Sequence, residues 1–385
     1  MKDIVVSDAQ NVALKKIIEW YKGGRSTPQV FYLAGYAGTG KSTLAKIVSD
    51  TLAAEATFNV IPAAFTGKAA NVLRQKGNPN AMTFHSGMYI PVRKSDESEI
   101  DFRLDPDAPF SDADLILADE VSMINEVMAR DAESFGKKIL VMGDPGQLPP
   151  VQGCGYWIHH EPDVFLHEIH RQALDSAIIR LANLARKGKP LPHGSWSDND
   201  GNKVQVLEYE HGHAHLMCDE STQAICGTHK HRKIFTAAIR DLRGFGGHLP
   251  LKDETVICVK NDRDRGIYNG CFGRLLEDAK PLINSKNYIY LDVKMEDLKQ
   301  PLSRLRTNRY HFDDHFEQKP PMRHEKGIQE FDWGYILTCH KAQGSEWDHV
   351  TILDDSAVFR EDRDKWRYTA ITRASKGLTF LDRTF

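Results

Sequence analysis

The sequence predicts an α/β fold built on parallel strands that are covered by helices on both faces. Four short apolar runs, at 29–33, 60–65, 114–118 and 138–142, alternate with helix-like segments in the first part of the chain. Runs of this length without apolar–polar alternation are typical of strands buried on both faces. Because ligands of such sheets bind beyond the carboxyl ends of the strands, we expect the functional side chains in the loops that follow these runs.

The composition is that of a globular protein with room for two or three domains. Hydrophobic residues make up 41% of the 385 residues, and the formal net charge is −3. This charge does not favour a protein that coats nucleic acid through its overall field, although it permits a local basic groove. With no apolar run near the ~18 residues of a membrane span and no signal-peptide pattern, we expect a soluble, cytoplasmic protein without a membrane partner. The six scattered cysteines predict reduced thiols.

The loop after the first apolar run matches the phosphate-binding template G-x-x-x-x-G-K-[ST]. Its fixed positions are Gly35, Gly40, Lys41 and Ser42, and an apolar pattern of helical spacing begins directly after them. In this template backbone N–H groups cradle phosphates, the lysine reaches the terminal phosphates, and the hydroxyl holds Mg²⁺. The helix N-terminus adds a partial positive charge. The predicted nucleotide-binding residues of this loop are Gly35, Ala37, Gly38, Thr39, Gly40, Lys41, Ser42 and Thr43.

Two carboxylates and a glutamine follow later strands in positions suited to hydrolysis. Asp119 and Glu120 come directly after 114–118; Asp119 would hold Mg²⁺ and Glu120 would polarise the attacking water as general base. Gln147, in the loop GDPGQLPPV, has an amide that can both accept from water and donate to a γ-phosphate oxygen. The alternatives are a helix cap for the carboxylates and a rigid turn for the loop. The phosphate loop favours the hydrolytic interpretation, because hydrolysis needs both a metal ligand and a means of activating water.

The rest of the chain predicts a second α/β block and two β insertions. The second block begins near Phe165 and includes strand-like runs at 223–226 and 335–338. The segment 88–104 has two extended runs around a polar centre, which is typical of a β-hairpin. The segment 266–327 contains an Asn-Gly turn and strand-like stretches, which predict a small β-rich insertion.

Six motifs in order resemble the helicase motif set of superfamily 1, most closely its RecD-like and Dda-like branch. They are GYAGTGKST, LADEVSM, GDPGQLPPV, HRQ, ILTCHKAQGSEW and YTAITRA, and the similarity runs from about Ser7 to Leu378. The resemblance implies two RecA-like P-loop NTPase domains and an ATP- and Mg²⁺-dependent DNA helicase that moves five-prime to three-prime. The implied domains are an N-terminal RecA-like domain (1–84 and 112–164), a pin hairpin (85–111), a C-terminal RecA-like domain (165–265 and 328–385) and an SH3-like accessory insertion (266–327).

The resemblance also implies roles for individual nucleotide-site residues. Gln10 resembles an adenine-reading glutamine, and Glu346 is expected at the ATP site. Arg171 and Arg373 resemble two arginines that reach the γ-phosphate from the second domain, where a planar, always charged guanidinium neutralises developing charge. The alternative for each arginine is a surface salt bridge. The implied catalytic set is Lys41, Glu120, Gln147, Arg171 and Arg373.

The resemblance further implies contacts with single-stranded and forked duplex DNA. Hydroxyls, backbone amides and lysines grip phosphates without reading sequence, and an aromatic ring stacks on a base; Phe84 is alternatively part of the core. A basic stretch at 229–243 lies nearby in the chain, with a solvated helix face as its alternative. Replication or recombination proteins are possible partners, and we expect a monomer. The predicted contacts are Thr66, Gly67, Lys68, Thr83, Phe84, His85, Thr228, His340, Lys341 and Gln343.

One histidine-rich segment and two other function classes stay open. On a strand, His211, His213 and His215 would share one face, with Cys218 close by, and imidazole with thiolate suits zinc; the alternative is a polar connection. An RNA helicase or ribonucleoprotein remodeller of the same superfamily is one alternative function. A non-translocating ATP-dependent switch is the other, and the complete hydrolytic set argues against it.

Overall fold

The structure is a computed structural model, and three sheets with their helices form most of it. It describes residues 6–53, 58–75, 77–93, 100–149, 155–167, 176–197, 201–219, 221–262, 265–283, 285–312 and 327–383.

The first part of the chain forms a six-stranded parallel sheet and a separate two-stranded hairpin. Its strands are β1 (Val30–Gly35), β2 (Val60–Ala64), β3 (Met82–Thr83), β4 (Tyr89–Arg93), β5 (Ile100–Leu104), β6 (Leu115–Ala118), β7 (Lys138–Gly143) and β8 (Val164–Leu166). Its helices are α1 (Asp8–Lys22), α2 (Lys41–Ala53), α3 (Gly67–Gln75), α4 (Phe84–Met88) and α5 (Glu126–Ser134).

The first sheet places the ends of four predicted strands at one edge. Its order is β3-β2-β6-β7-β1-β8, and every neighbouring pair is parallel. Strands β1 and β6 are buried along nearly their whole length, as the continuous apolar runs predict. Phe165 belongs to β8 and pairs with Ala34 of β1. The second α/β block therefore begins later than the sequence predicts.

The predicted hairpin is present as β4 and β5, which pair antiparallel from Tyr89 with Leu104 to Arg93 with Ile100. Its polar centre lies outside the described residues.

The remainder of the chain supplies the other two sheets. Its strands are β9 (Gly194–Ser197), β10 (Lys203–Glu208), β11 (Gln223–Cys226), β12 (Thr255–Cys258), β13 (Phe272–Leu275), β14 (Lys280–Pro281), β15 (Tyr288–Met295), β16 (Leu302–Asn308), β17 (Phe331–Trp333), β18 (Ile336–Thr338), β19 (Trp347–Leu353) and β20 (Ala374–Asp382). Its helices are α6 (Ala177–Arg186), α7 (His229–Leu242), α8 (Cys339–Ala342) and α9 (Arg363–Ile371).

The second sheet is parallel except at one edge. Its order is β18-β11-β19-β20-β10-β9, and β9 pairs antiparallel with β10. Apolar side chains of this sheet pack with α6 and α9 into one buried cluster that includes Trp366 and Phe380. The α/β fold class with parallel sheets is thus confirmed.

The third sheet is antiparallel throughout. Its order is β14-β15-β13-β12-β17, and β16 also pairs with β15, off this path. Strands β12 and β17 lie before and after the segment 266–327 in which the sequence predicts the insertion. The sheet extends beyond that segment because Val256 and Ile257 pair with both β13 and β17.

Within the described ranges, the longest helices are neither long nor apolar enough to cross a lipid bilayer.

Candidate active site

The phosphate loop joins β1 to α2 in the geometry that anion binding requires. Gly38 and Gly40 have φ angles of 79° and 78°, a left-handed conformation that glycine adopts without steric cost. Nζ of Lys41 donates to the carbonyl oxygens of Gly35 and Tyr36 at 2.7 and 3.0 Å, so the ammonium group lies over the loop. Ser42 is exposed in the first turn of α2. Free helix N–H groups, a lysine and a hydroxyl fit a nucleotide phosphate chain.

Gln10 is anchored beside this loop. Its side chain closes a capping box with Ser7 at the start of α1, and its Nε2 donates to the carbonyl oxygen of Thr39 at 3.1 Å. The side chain is only 4% exposed. The structure therefore brings Gln10 to the nucleotide site, whereas its reading of adenine stays a prediction.

The two carboxylates stand at the end of β6, as the sequence predicts. Oδ1 of Asp119 accepts from the backbone N–H of Glu120 at 2.9 Å. Glu120 has φ 50° and ψ 47°, a strained conformation for a residue with a Cβ and one that clusters at functional sites. Burial raises the pKa of the Glu120 carboxyl, and the nearby Arg373 and Lys41 oppose that rise.

The oxygen donors at this edge fit a magnesium ion. Mg²⁺ prefers carboxylate and hydroxyl oxygens together with substrate phosphates, and Ser42 and Asp119 supply such oxygens. When bound, the ion would neutralise charge on the transferring phosphoryl group.

Arg373 enters the site from the second sheet, between α9 and β20. It is 6% exposed, and its guanidinium is held by the carbonyl oxygens of Thr369 and Ser345, each at 3.1 Å. Its Nη1 lies 3.8 Å from Oε1 of Glu120. The structure thus joins a cation of one sheet to a carboxylate of the other. Arg171, the second predicted arginine, lies outside the described residues.

The loop that carries Gln147 forms hydrogen bonds with residues of both parallel-sheet units. Oε1 of Gln147 accepts from the Ser122 hydroxyl at 3.4 Å. The backbone N–H of Leu148 donates to the Thr369 hydroxyl at 2.7 Å, and its carbonyl oxygen accepts from Nε2 of Gln343 at 2.6 Å. Gln343 is therefore hydrogen-bonded to Leu148, the residue that directly follows Gln147 in the chain.

Sequence reasoning did not assign roles to two buried side chains at this site. Asp144 is 5% exposed and Tyr368 is 2% exposed, and the tyrosine hydroxyl donates to Oδ2 of Asp144 at 2.6 Å. Burial raises the pKa of Asp144, and the charge of Lys41 opposes that rise. Both residues lie within motif strings, which is the signal that could have identified them.

A cleft between the sheets gathers several predicted nucleic-acid contacts. Thr66 and Lys68 follow β2 of the first sheet, while α8 and the residues after it belong to the second. The turn at Asn269 and Gly270 of the third sheet, which the prediction did not include, closes one side. The lining residues are Thr66, Lys68, Met123, Asn269, Gly270, His340, Lys341, Gln343 and Ser345.

Two predicted contacts near α4 have structural roles, and only the stacking of Phe84 on a base is excluded by burial. Phe84 is 0% exposed and its ring packs against Phe110 and Trp157, so stacking on a base is wrong for this conformation. Thr83 caps α4 by accepting from the N–H of Ser86 at 3.1 Å. His85 is partly exposed and lies 5.8 Å from the Phe102 ring of β5, between ring centroids.

Lys68 has aromatic partners that the sequence did not predict. Its Nζ lies 4.5 Å from the ring centroid of Phe272 and 4.7 Å from that of Trp347. Burial lowers the pKa of its ammonium group, and Glu296 opposes the change. Two aromatic faces and an acidic neighbour hold this cation, so a phosphate contact would require Lys68 to leave them.

The basic stretch forms α7, and its arginines serve the fold. Arg232 pairs with Asp332 at 2.8 Å, and Arg240 pairs with the fully buried Glu254 at 2.6 Å. Arg243 donates to the carbonyl oxygen of Cys218. Neither a basic nucleic-acid surface nor a simple solvated face describes these three arginines. Thr228 caps the helix by accepting from His231.

The histidine-rich segment is a 3₁₀ helix, His211–Met217, rather than a strand. A 3₁₀ helix turns once every three residues, so alternate residues do not share a face. Among the residues described, no group of three or more His, Cys, Asp or Glu side chains could hold a metal ion.

Comparisons with known proteins agree with this arrangement. The model described as "AAA domain" matches residues 6–208, and that of the UvrD-like helicase C-terminal domain matches 334–381. The ATP-dependent RecD2 DNA helicase of Deinococcus radiodurans is 30% identical over 372 residues, which cover 89% of this chain and 45% of the relative. The chain spans less than half the length of the curated relatives it matches.

Solved structures share the fold. Bacteroides Pif1 bound to single-stranded DNA is 17% identical with a TM-score of 0.56, covering 100% of this chain and 93% of its own. Two coordinating Pif1 helicases at forked DNA give a TM-score of 0.57 at 17% identity, with the same coverage. Since the first model alone matches more than half of the residues, the chain belongs to the AAA domain family, and its residues 334–381 are similar to the UvrD-like helicase C-terminal domain.

Proposed function

We propose that this protein is an ATP-dependent DNA helicase that translocates on single-stranded DNA. The observation that carries the proposal is the approach of Arg373 to Glu120 across the interface, with Nη1 and Oε1 3.8 Å apart. A general base on one sheet and a charge-neutralising arginine on the other make ATP turnover dependent on the closed interface.

The proposed mechanism assigns one task to each group at the interface. Lys41 and the N–H groups of α2 bind the phosphates, Ser42 and Asp119 would hold Mg²⁺, and Glu120 accepts a proton from the attacking water. Arg373 offsets the negative charge that develops on the phosphoryl group. Hydrolysis removes the phosphate that draws the two sheets together, and alternating grip on the strand then advances the protein.

The roles of residues that carry less direct support belong to the same proposal. Arg171 would act beside Arg373, Gln147 would sense the γ-phosphate, and Gln10 would read adenine with Glu346 nearby. The pin hairpin at 85–111 would separate strands, and the accessory region at 266–327 would complete the cleft. One RecA-like unit would comprise 1–84 with 112–166, because β8 pairs with β1. The other would comprise the strands and helices of the second sheet.

The substrate assignment draws on the relatives. One relative is named a DNA helicase, and neighbours of the same fold bind single-stranded or forked DNA. We propose the same substrates here, with five-prime to three-prime movement inferred from the motif resemblance. We further propose that the protein works inside the cell as a monomer, with replication or recombination proteins as partners.

Steady-state ATP hydrolysis is the first test, measured without nucleic acid, with single-stranded DNA and with single-stranded RNA of the same sequence. We expect stimulation by DNA and its loss in Lys41→Ala. Equal or greater stimulation by RNA would indicate an RNA helicase rather than a DNA helicase. Turnover that neither strand stimulates would favour a non-translocating switch.

Polarity needs a separate experiment. Forked duplexes with a single five-prime or three-prime tail distinguish the two directions, and we expect unwinding only from the five-prime tail. Unwinding from the three-prime tail alone would reverse the proposed direction.

A further inference from the structure

The hydroxyl of Tyr368 bridges the two parallel-sheet units. The backbone N–H of Ala37 in the phosphate loop donates to it at 2.7 Å, and it donates in turn to Oδ2 of Asp144 at 2.6 Å. Tyr368 lies on α9 of the second sheet, whereas both of its partners belong to the first. Loop backbone, tyrosine and carboxylate thus form one continuous hydrogen-bond chain across the interface.

Tyrosine is the side chain that this position requires. A hydroxyl can accept from one partner while it donates to another, and phenylalanine can do neither. Burial and the charge of Asp144 raise the pKa of Tyr368, so the phenol keeps its proton. Asp144 is nearly inaccessible to water, and its other oxygen accepts from the N–H of Gly146 at 2.9 Å. Loss of the tyrosine hydroxyl would leave a buried carboxylate short of a donor, which is costly.

The residues beside Tyr368 extend the same link. Thr369, the next residue of α9, accepts from the N–H of Leu148. Consecutive residues of one helix therefore hold both ends of the segment 144–148, which contains Gln147. The carbonyl oxygen of Leu148 accepts from Gln343, and Gln343 lines the cleft. The segment is connected to the phosphate loop at one end and to the cleft at the other.

A second contact fixes the neighbouring residue of the phosphate loop. The Arg186 guanidinium, on α6 of the second sheet, lies 3.6 Å from the ring centroid of Tyr36. At this distance the cation lies against the aromatic face. Tyr36 and Ala37 are therefore both held from the second sheet, one through its ring and the other through its backbone.

We propose that Tyr368 is a positioning residue that couples the phosphate loop to the segment 144–148 and, through Gln343, to the nucleic-acid cleft. The inference rests on the proposed function and deepens it. Nucleotide binding rearranges the loop backbone, Tyr368 passes that change to Asp144, and the cleft side chain Gln343 responds. Stimulation of ATP turnover by a single strand uses the same connection in reverse.

Tyr368→Phe in the full chain tests the proposal, with Tyr32→Phe as the matched control. Tyr32 is also a buried tyrosine whose pKa is raised by burial and by Asp144, but its hydroxyl has no hydrogen-bond partner among the described residues. We expect Tyr368→Phe to lower the DNA-stimulated kcat by about tenfold to a hundredfold while KM for ATP changes less than about twofold. Tyr32→Phe should match the wild type in both constants.

The other end of the bond supplies a second variant. Asp144→Asn should reproduce the kcat defect, and adding Tyr368→Phe to it should lower kcat by no more than about twofold further, because both changes break one connection. Multiplying effects, or a Tyr368→Phe variant that behaves like Tyr32→Phe, would overturn the proposal. A wild-type protein without DNA-stimulated ATP hydrolysis would instead overturn the proposed function.

Discussion

Nη1 of Arg373 and Oε1 of Glu120 lie 3.8 Å apart, although they belong to different sheets. Glu120 follows β6, and Arg373 immediately precedes β20. This short distance requires the two sheets to face each other closely, so the pair depends on the packing of both halves of the chain. Residues that shape this pair should therefore affect turnover more than they affect folding.

Replacement of Glu120 by glutamine should abolish most ATP turnover. The amide keeps the size of the side chain but cannot accept a proton, so we expect kcat to fall by about 10²–10⁴-fold with little change in KM for ATP. Glu126→Gln is the matched control, because Glu126 is an exposed residue paired with Arg130 on α5. Normal turnover by Glu120→Gln at saturating ATP would remove Glu120 from the role of general base.

Gly344→Ala should impair catalysis by Glu120, because the added methyl group would crowd the Glu120 carboxylate. Gly344 has φ +74°, and a Cβ there would lie 2.9 Å from Oε2 of Glu120. Gly244→Ala is the control, since Gly244 has φ +77° with no atom within 4 Å of the added Cβ. In both variants alanine would occupy a left-handed backbone conformation at a cost of roughly 1–2 kcal/mol, so the unfolding temperature should fall by a similar amount in each. Only Gly344→Ala should lower kcat, and equal kinetics for the two variants would argue against this crowding.

Lys68→Met tests whether Lys68 binds phosphate or stays between its aromatic neighbours. A lysine that neutralises one phosphate of a single strand contributes about 0.7 to the slope of log K against log salt. We expect that slope to be unchanged in Lys68→Met, because Phe272 and Trp347 already hold the ammonium group. Lys230→Met is the comparison, since Lys230 is exposed on α7, two residues after Thr228. Binding of labelled single-stranded DNA at several salt concentrations measures the slope for both variants. A reduced slope for Lys68→Met would show that Lys68 does contact a phosphate.

The buried pair of Arg240 and Glu254 should matter for stability. Glu254 is 0% exposed and also accepts from the Tyr335 hydroxyl and the N–H of Leu251. Arg240→Met leaves that carboxylate without its cation, so we expect the free energy of unfolding to fall by about 3–5 kcal/mol. The double variant Arg240→Met/Glu254→Leu should lose less, because no uncompensated charge remains.

Urea titration compares these variants with Arg130→Met. Arg130 belongs to an exposed pair, and its loss should leave the urea midpoint unchanged. An Arg240→Met midpoint equal to that of Arg130→Met would show that the buried pair does not stabilise the fold.

Much of the first sheet follows from sequence pattern alone. The apolar runs at 60–65, 114–118 and 138–142 correspond to β2, β6 and β7 within one residue at each end. The hairpin of β4 and β5 was predictable for the same reason, since its two extended runs flank a polar centre. The third sheet was underestimated because β12 and β17 lie far apart in the chain and are joined only by pairing.

The sequence by itself determined the parts of the site that are built from contiguous residues. The phosphate loop, the carboxylates after β6 and the GDPGQL segment each depend on a strand, a turn and their immediate neighbours. Only the tertiary structure decided which side chains those parts meet. Phe84 is core, Lys68 lies between two rings, and Tyr368 bonds to residues 331 and 224 positions away. Local patterns carry no information at such separations, because burial and partnership arise only when distant segments pack together.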